Sequence, residues 1–306
     1  MSSNSNNNSN NNIKIHVLNC GSIFLLPEAA YCTGSRLAAN AGGITAPMAK
    51  RVQLPNRAFL IEHPQHGNIL VDTGWPREIS PSGVYSESAA RSLLPAHLSA
   101  FFHPVVAPGE TAVEQLDGLG FKPEDIDLLI LTHLDADHIC ALKDFAGKAK
   151  RIIVAEDEYF WSCRSVYKAR QPWKLWMPYK DYIEHYWFRG SPLGPNRWAY
   201  DVFGDESITC INCPGHTDGQ VAVMVKKPLG TRMETENGCR FDSRYVLLCS
   251  DVAFSPRNWQ ELVIPGYGFD DKKQLLSLKW LKSAAEDENC IGCIPSHGME
   301  CGEVEW

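Results

Sequence analysis

The sequence predicts an α/β fold in which β-sheets are covered by helices, and three features carry that prediction. Two early apolar runs, Arg57 to Glu62 and Asn68 to Asp72, are joined by His63-Pro-Gln-His-Gly, whose turn chemistry makes them a hairpin. Ile126 to Leu131 is a continuous apolar run, the mark of a buried strand. Beyond it, short apolar runs alternate with helical stretches, and hairpins followed by mixed β and α segments read as α/β.

Taken in order, Ile13 to Cys20 alternates as a strand does, and the hairpin follows, ending in Val71-Asp72-Thr73-Gly74. Trp75 to Gly109 is rich in Pro, Ser and Gly with little periodicity; a connection of that length is usually functional, often a lid. Thr111 to Leu119 reads as a helix closed by Gly120, with Val113, Leu116 and Leu119 on one face. After the buried run come a short helix over Ile139 to Phe145, a strand over Arg151 to Ala155 and a helix from about Glu156. Strands are expected near 207–212, 220–226 and 244–249, a helix near 271–286, and a last strand over 290–295. The stretch 159–200 is dense in Trp, Tyr and Phe; it reads as a helical insertion packing its aromatics on the domain or on a second copy, or as a wall over a site that takes an apolar group. With no repeat and no strong linker, residues 13–306 are expected to form a single domain.

Composition narrows the function. The 306 residues suffice to bury a sizeable core, and 44% hydrophobic with 21% charged residues is ordinary for a soluble globular chain. A net charge of −7 without a dense Lys/Arg run argues against a nucleic-acid substrate, which needs a basic stripe. No apolar run approaches the roughly 20 residues that span a bilayer. Residues 1–12 are a Ser/Asn tail lacking the basic and apolar regions of a secretory signal, and are expected to be disordered. Eleven cysteines, an odd number, then suggest reduced thiols in the cytoplasm. The pairs Cys210/Cys213 and Cys290/Cys293 have zinc-ribbon spacing, but in a strand positions three apart face opposite ways, so Cys210/Cys213 are expected to be core thiols.

The chemistry concentrates in Leu131-Thr132-His133-Leu134-Asp135-Ala136-Asp137-His138. Residues two apart on an extended backbone face the same way, so His133, Asp135 and Asp137 can converge, and the turn into a helix brings His138 beside them. Four N/O donors in six residues suit a metal, because buried carboxylates and imidazoles are costly unless paired or ligating. The bland alternative is an exposed polar loop whose Asp135 or Asp137 caps the helix. Three later features favour the metal: His216 in the turn Pro214-Gly215-His216-Thr217, Asp251 after the apolar run ending at Cys249, and His297 just after the last strand. The remaining histidines, His16, His63, His66, His97, His103 and His185, show no ligand spacing and are expected at the surface or in hydrogen bonds.

On these motifs the chain resembles the metallo-β-lactamase superfamily and, more loosely, its N-acyl-homoserine lactonase branch. The resemblance implies an αββα sandwich, two mixed sheets face to face with helices outside and a site on loops along one edge. It assigns His133, Asp135 and His216 to a first metal, Asp137, His138 and His297 to a second, and Asp251 to both, with Asp72 in support. The implied enzyme is a binuclear metallohydrolase: a hydroxide shared by two divalent cations attacks the carbonyl of a lactone or other small ester, and Asp137 takes and returns the proton. Thioesters and β-lactams are alternative substrates. Zinc is the first choice of metal, and the substrate is a small molecule with an apolar group.

Two departures from the family pattern bear on this. Asp135 stands where the superfamily usually has His, which hardens the first site, lowers its net charge and admits iron or manganese. It also keeps open a di-iron oxidoreductase, since the flavodiiron proteins carry a carboxylate there. Phe254 stands where the lactonases have a Tyr that supports the substrate carbonyl, and it has no hydroxyl to donate.

Overall fold

The computed structural model describes residues 12–32, 34, 42–164, 170–228, 232–235, 238–241, 243–298 and 304–305. The expected disordered tail therefore lies, but for Asn12, outside the described residues. Strands β1 (Lys14–Leu25), β2 (Val52–His63), β3 (Gly67–Val71), β4 (Leu128–Leu131), β5 (Ile152–Ala155) and β6 (Ile183–Tyr186) lie side by side in that order in the first sheet. The second sheet takes β7 (Arg189–Gly190), β8 (Trp198–Asp201), β9 (Ile208–Asn212) and β10 (Val221–Lys226); β11 (Arg232–Thr235) and β12 (Gly238–Phe241) pair separately. With β13 (Tyr245–Ser250) and β14 (Cys290–Pro295) the order of the second sheet is β14-β13-β10-β9-β8-β7, while β15 (Val304–Glu305) flanks β1. Both sheets are mixed: β1, β2 and β3 pair antiparallel, β3 to β6 parallel, and β13 pairs antiparallel with β10 but parallel with β14.

Strand alternation sorts the core into layers. Phe59 and Ile61 of β2 join Ile208, Cys210, Val223, Val246 and Leu248 in the apolar layer between the sheets. Their neighbours Ala58 and Leu60 face the opposite way, into a core closed by α1 (Glu87–Leu93), α2 (Ala96–Phe102) and α3 (Ala112–Gly118). On the far side, Tyr245, Leu247 and Cys249 of β13 meet Leu278 and Leu281 of the helix Asp271–Ala285. This is the αββα sandwich. Cys210 lies in the middle layer and Cys213 in the outer one, so the pair straddles the sheet as two-residue periodicity requires. The described cysteines are free thiols.

Three expectations need correction. Trp75 to Gly109 is no bare lid: it contains α1 and α2, and Trp75, Leu98, Phe101 and Phe102 are core residues of the first sheet's outer face. The helix placed at Ile139–Phe145 is α4 (Ala136–Ile139), followed by a 3₁₀ turn at Leu142–Asp144, because Asp135 already holds the extended geometry of an N-cap. The aromatic stretch, of which residues 165–169 lie outside the described residues, is not helical throughout. After α5 (Glu156–Ser162) and α6 (Trp173–Trp176) it supplies β6 to one sheet and β7 and β8 to the other, and its dense aromatics suit strand packing as well as helix packing.

Candidate metal centre

The parallel order of β3 and β4, and of β13 and β14, brings four strand ends to one edge of the sandwich. The β9–β10 loop joins them because β10 runs antiparallel to β13. A backbone bond from Val221 N–H to the Thr132 carbonyl (3.1 Å) ties the sheets together there. Two non-glycine residues adopt left-handed backbone at this edge: Asp72 (φ 60°) just after β3 and Ser250 (φ 49°) at the end of β13. Such conformations are costly and cluster where function constrains the chain. Gly215 (φ 137°) carries the His216 turn against the start of the helix Asp271–Ala285, where a Cβ would lie 2.3 Å from the Gln274 nitrogen. Any larger residue would displace the turn.

All seven candidate ligands converge, and all are buried. His216 Nε2 lies 3.0 Å from Asp135 Oδ2, and His133 Nε2 is 3.9 Å from the same oxygen. On the other side, His297 and His138 Nε2 lie 3.5 and 3.8 Å from Asp137 Oδ2. Asp251 stands between: Oδ1 faces His138 and His297 at 3.2 Å each, and Oδ2 faces His216 at 3.4 Å. The sets His133/Asp135/His216 and Asp137/His138/His297 each hold their donor atoms within 4.8 Å of one another. The capping alternative fails, since Asp135 occupies the N-cap of α4 without a side-chain capping bond.

The imidazoles are oriented from behind. His216 Nδ1–H donates to the Tyr267 carbonyl (2.8 Å) and His297 Nδ1–H to the Pro55 carbonyl (2.9 Å). Asp72 accepts from His138 Nδ1 at 2.7 Å and also from the Thr132 N–H and hydroxyl. His133 Nδ1 contacts the Thr132 hydroxyl at 3.1 Å. With Nδ1 engaged in this way, each Nε2 presents a lone pair to the centre. The Nε2 atoms of His133, His138 and His297 and Oδ1 of Asp251 are buried without a hydrogen-bond partner. Buried polar atoms seldom go unsatisfied, and a cluster of lone pairs aimed at one another fits divalent cations. Burial drives the Asp137 carboxyl up. Burial would do the same to Asp251, but His297, His138 and His216 outweigh it and hold that carboxyl well below the usual range.

Two residues at this site escaped the sequence reading. Arg170 grips Asp135, with Nε 3.2 and 3.0 Å from its two oxygens and Nη2 2.8 Å from Oδ2. Burial pushes the Asp135 carboxyl up, but Arg170, then His216 and His133, hold it well below the carboxylate range. Glu158, fully buried, accepts from Leu134 N–H (2.9 Å), Gln171 Nε2 (2.8 Å) and Gly219 N–H (3.3 Å), fastening the neighbours of Asp135, Arg170 and His216 to one carboxylate. The available signal was Asp135 itself, since a carboxylate replacing a neutral ligand calls for a cation nearby, but several cations were equally eligible by sequence. As for the other histidines, His16 Nε2 pairs with Glu62 at 2.5 Å, His66 with Asp205 and His185 with Glu156, none at the centre.

A metallo-beta-lactamase superfamily model matches residues 52–226, more than half of the chain. The chain belongs to that superfamily. It is similar to the N-acyl homoserine lactonase AttM of Rhizobium radiobacter, 25% identical over 243 residues, which cover 76% of this chain and 78% of that protein. A solved N-acyl homoserine lactone hydrolase, with the product N-hexanoyl-L-homoserine at its catalytic metal centre, superposes with a TM-score of 0.66 at 23% identity, covering 94% and 93% of the two chains. The dizinc quorum-quenching lactonase AidC superposes at 0.59 with 15% identity, covering 95% and 89%. The chain is a metal-dependent hydrolase with a metallo-β-lactamase fold. Among the described residues no helix is long and apolar enough to cross a membrane.

Proposed function

We propose that the chain hydrolyses a lactone, or a closely related small ester, carrying an apolar acyl group. The observation that carries this reading is the buried set of unpartnered Nε2 atoms of His133, His138 and His297 around Asp251, whose two oxygens face different imidazoles. His133, Asp135 and His216 would hold one divalent cation, Asp137, His138 and His297 a second, and Asp251 would reach both, with zinc favoured by the imidazole-rich donor set. Bound there, such cations would supply Lewis-acid chemistry, lowering the pKa of a bound water towards about 7 and polarising a carbonyl oxygen.

The chain's own residues supply the rest. Asp137, whose Oδ2 lies 3.5 and 3.8 Å from His297 and His138, would take a proton from the attacking water and return it to the leaving oxygen. Asp72 keeps His138 in one tautomer and one orientation. Phe254, buried against His297 with ring centroids 4.8 Å apart, excludes water from one flank. The acyl group is assigned to a cleft of about 300 Å³ lined by Ile44, Leu98, Phe101, Phe269, Tyr267 and Arg170. Larger clefts of about 490 and 570 Å³ lie elsewhere, but their walls include none of the seven candidate ligands nor the residues that touch them from behind. Through Tyr267 and Arg170 the 300 Å³ cleft abuts His216 and Asp135. The exposed Trp187 and Trp198 take no part in it and are open to a second copy of the chain.

The test is metal analysis of purified protein, followed by acyl-homoserine lactones of increasing chain length, aryl esters, thioesters and a β-lactam, each with and without chelator. Chelator-sensitive lactone opening that improves with acyl length is expected. Metal-loaded protein that opens none of these rings or esters would refute the proposal.

A further inference from the structure

We infer that Arg170 is a positioning residue of the first metal site, restoring the charge that Asp135 removes and fixing which carboxylate oxygen faces the cation. The inference rests on the metal centre proposed above and goes beyond it, since it concerns a residue outside the seven ligands.

The contact is built, not incidental. The guanidinium places two N–H groups on Asp135 Oδ2 (3.0 and 2.8 Å), the oxygen that also faces His216 and His133. Its side chain is 14% exposed, and a guanidinium so enclosed needs a partner to offset desolvation. The Tyr267 ring lies 4.4 Å from Arg170 Cζ and the Trp161 ring 5.9 Å from it, which holds the plane of the fork. Tyr267 is also the residue whose carbonyl orients His216. Glu158 completes the frame by binding Gln171, next to Arg170, and Leu134, next to Asp135.

The charge count follows. Two neutral imidazoles and one carboxylate leave a site one unit more negative than three imidazoles would. One guanidinium on that carboxylate returns the unit, so the first site behaves electrostatically as a three-imidazole site despite its acidic ligand. Asp135 then gives the site no preference for iron or manganese, because the hardness of the carboxylate is tempered by the cation that shares its oxygen.

The experiment compares wild type, Arg170→Gln, Asp135→His and the double variant, each stripped, reloaded with Co(II) and followed by visible spectrum and metal analysis, independently of turnover. Arg170→Gln leaves the carboxylate uncompensated and unheld, and Asp135→His sets an imidazole against a guanidinium. Each is expected to weaken one of the two sites by about 10- to 100-fold. The double variant, with three imidazoles and no guanidinium, recovers two-site binding. It also keeps the test alive if Arg170→Gln folds poorly, which circular dichroism would show. Wild-type-like spectra and stoichiometry in folded Arg170→Gln, or a double variant as weak as the singles, overturns the inference alone. A wild type that takes up no metal overturns it together with the reading it rests on.

Discussion

Replacing Asp72 by Asn isolates the support of the proposed second metal site from its proposed ligands. The backbone at Asp72 is left-handed, at φ 60°, and Asn tolerates that region, so the change leaves the turn intact where Ala would strain it. The carboxylate accepts three hydrogen bonds: from Thr132 N–H at 2.8 Å, the Thr132 hydroxyl at 2.7 Å and His138 Nδ1 at 2.7 Å. An amide keeps one acceptor oxygen and turns the other position into a donor. If the oxygen stays on Thr132 N–H, the amide N–H₂ faces His138 Nδ1–H and that bond is lost. Hydrogen bonds to charged groups contribute about 1.5–3 kcal/mol each, and a freed imidazole ligand weakens its metal by about 10- to 100-fold, or roughly 1.4–2.8 kcal/mol. The two figures agree. The assay is competition against a graded series of chelators on Asp72→Asn and wild type, with thermal unfolding of the metal-free proteins as the control for folding. A folded Asp72→Asn that keeps both metals at wild-type affinity would show that His138 is not held by Asp72, or that it is no ligand.

Two further outcomes follow from the frame and the cleft. Burial raises the Glu158 carboxyl from 4.5 to about 6, so the folded chain holds a proton that the unfolded chain releases. The associated stability is fully present below pH 4.5 and is lost as pH rises through about 6, a change of about 2 kcal/mol. Metal-free Glu158→Gln should therefore lose this part of the slope of Tm against pH between 4.5 and 6.5, and parallel slopes in variant and wild type contradict it. Phe269, 54% exposed on the wall of the 300 Å³ cleft, should act on acyl chain length. Phe269→Ala is expected to raise KM for a decanoyl substrate about 5- to 30-fold with little effect on a butanoyl one, the worth of about 1–2 kcal/mol of apolar contact. Equal effects on both lengths would place the acyl group elsewhere.

What could be read from the sequence was what depends on local period. His133 and Asp135, two apart just after β4, meet as a period of two predicts, whereas Asp137 reaches the centre from the first turn of α4; the same period separates Cys210 from Cys213. His216, Asp251 and His297 could be marked as strand-end residues, and the family resemblance ordered them. The strand runs around them were legible to within a few residues because apolar runs bounded by turn residues announce buried strands. The aromatic stretch misled because Trp and Tyr suit helix and strand alike, and only pairing with β5 and β9 decided that β6 and β8 would form.

Tertiary structure alone decided the partnership of Arg170 with Asp135, 35 residues apart. No local period links those positions; Arg170 meets Asp135 where Glu158 of α5 holds Gln171, next to Arg170, together with Leu134 and Gly219. The amino-acid sequence by itself thus determined which side chains could bind metal, since donor chemistry belongs to the residue. The charge and orientation of that set were decided by long-range packing, because electrostatic compensation depends on distance in space and not along the chain.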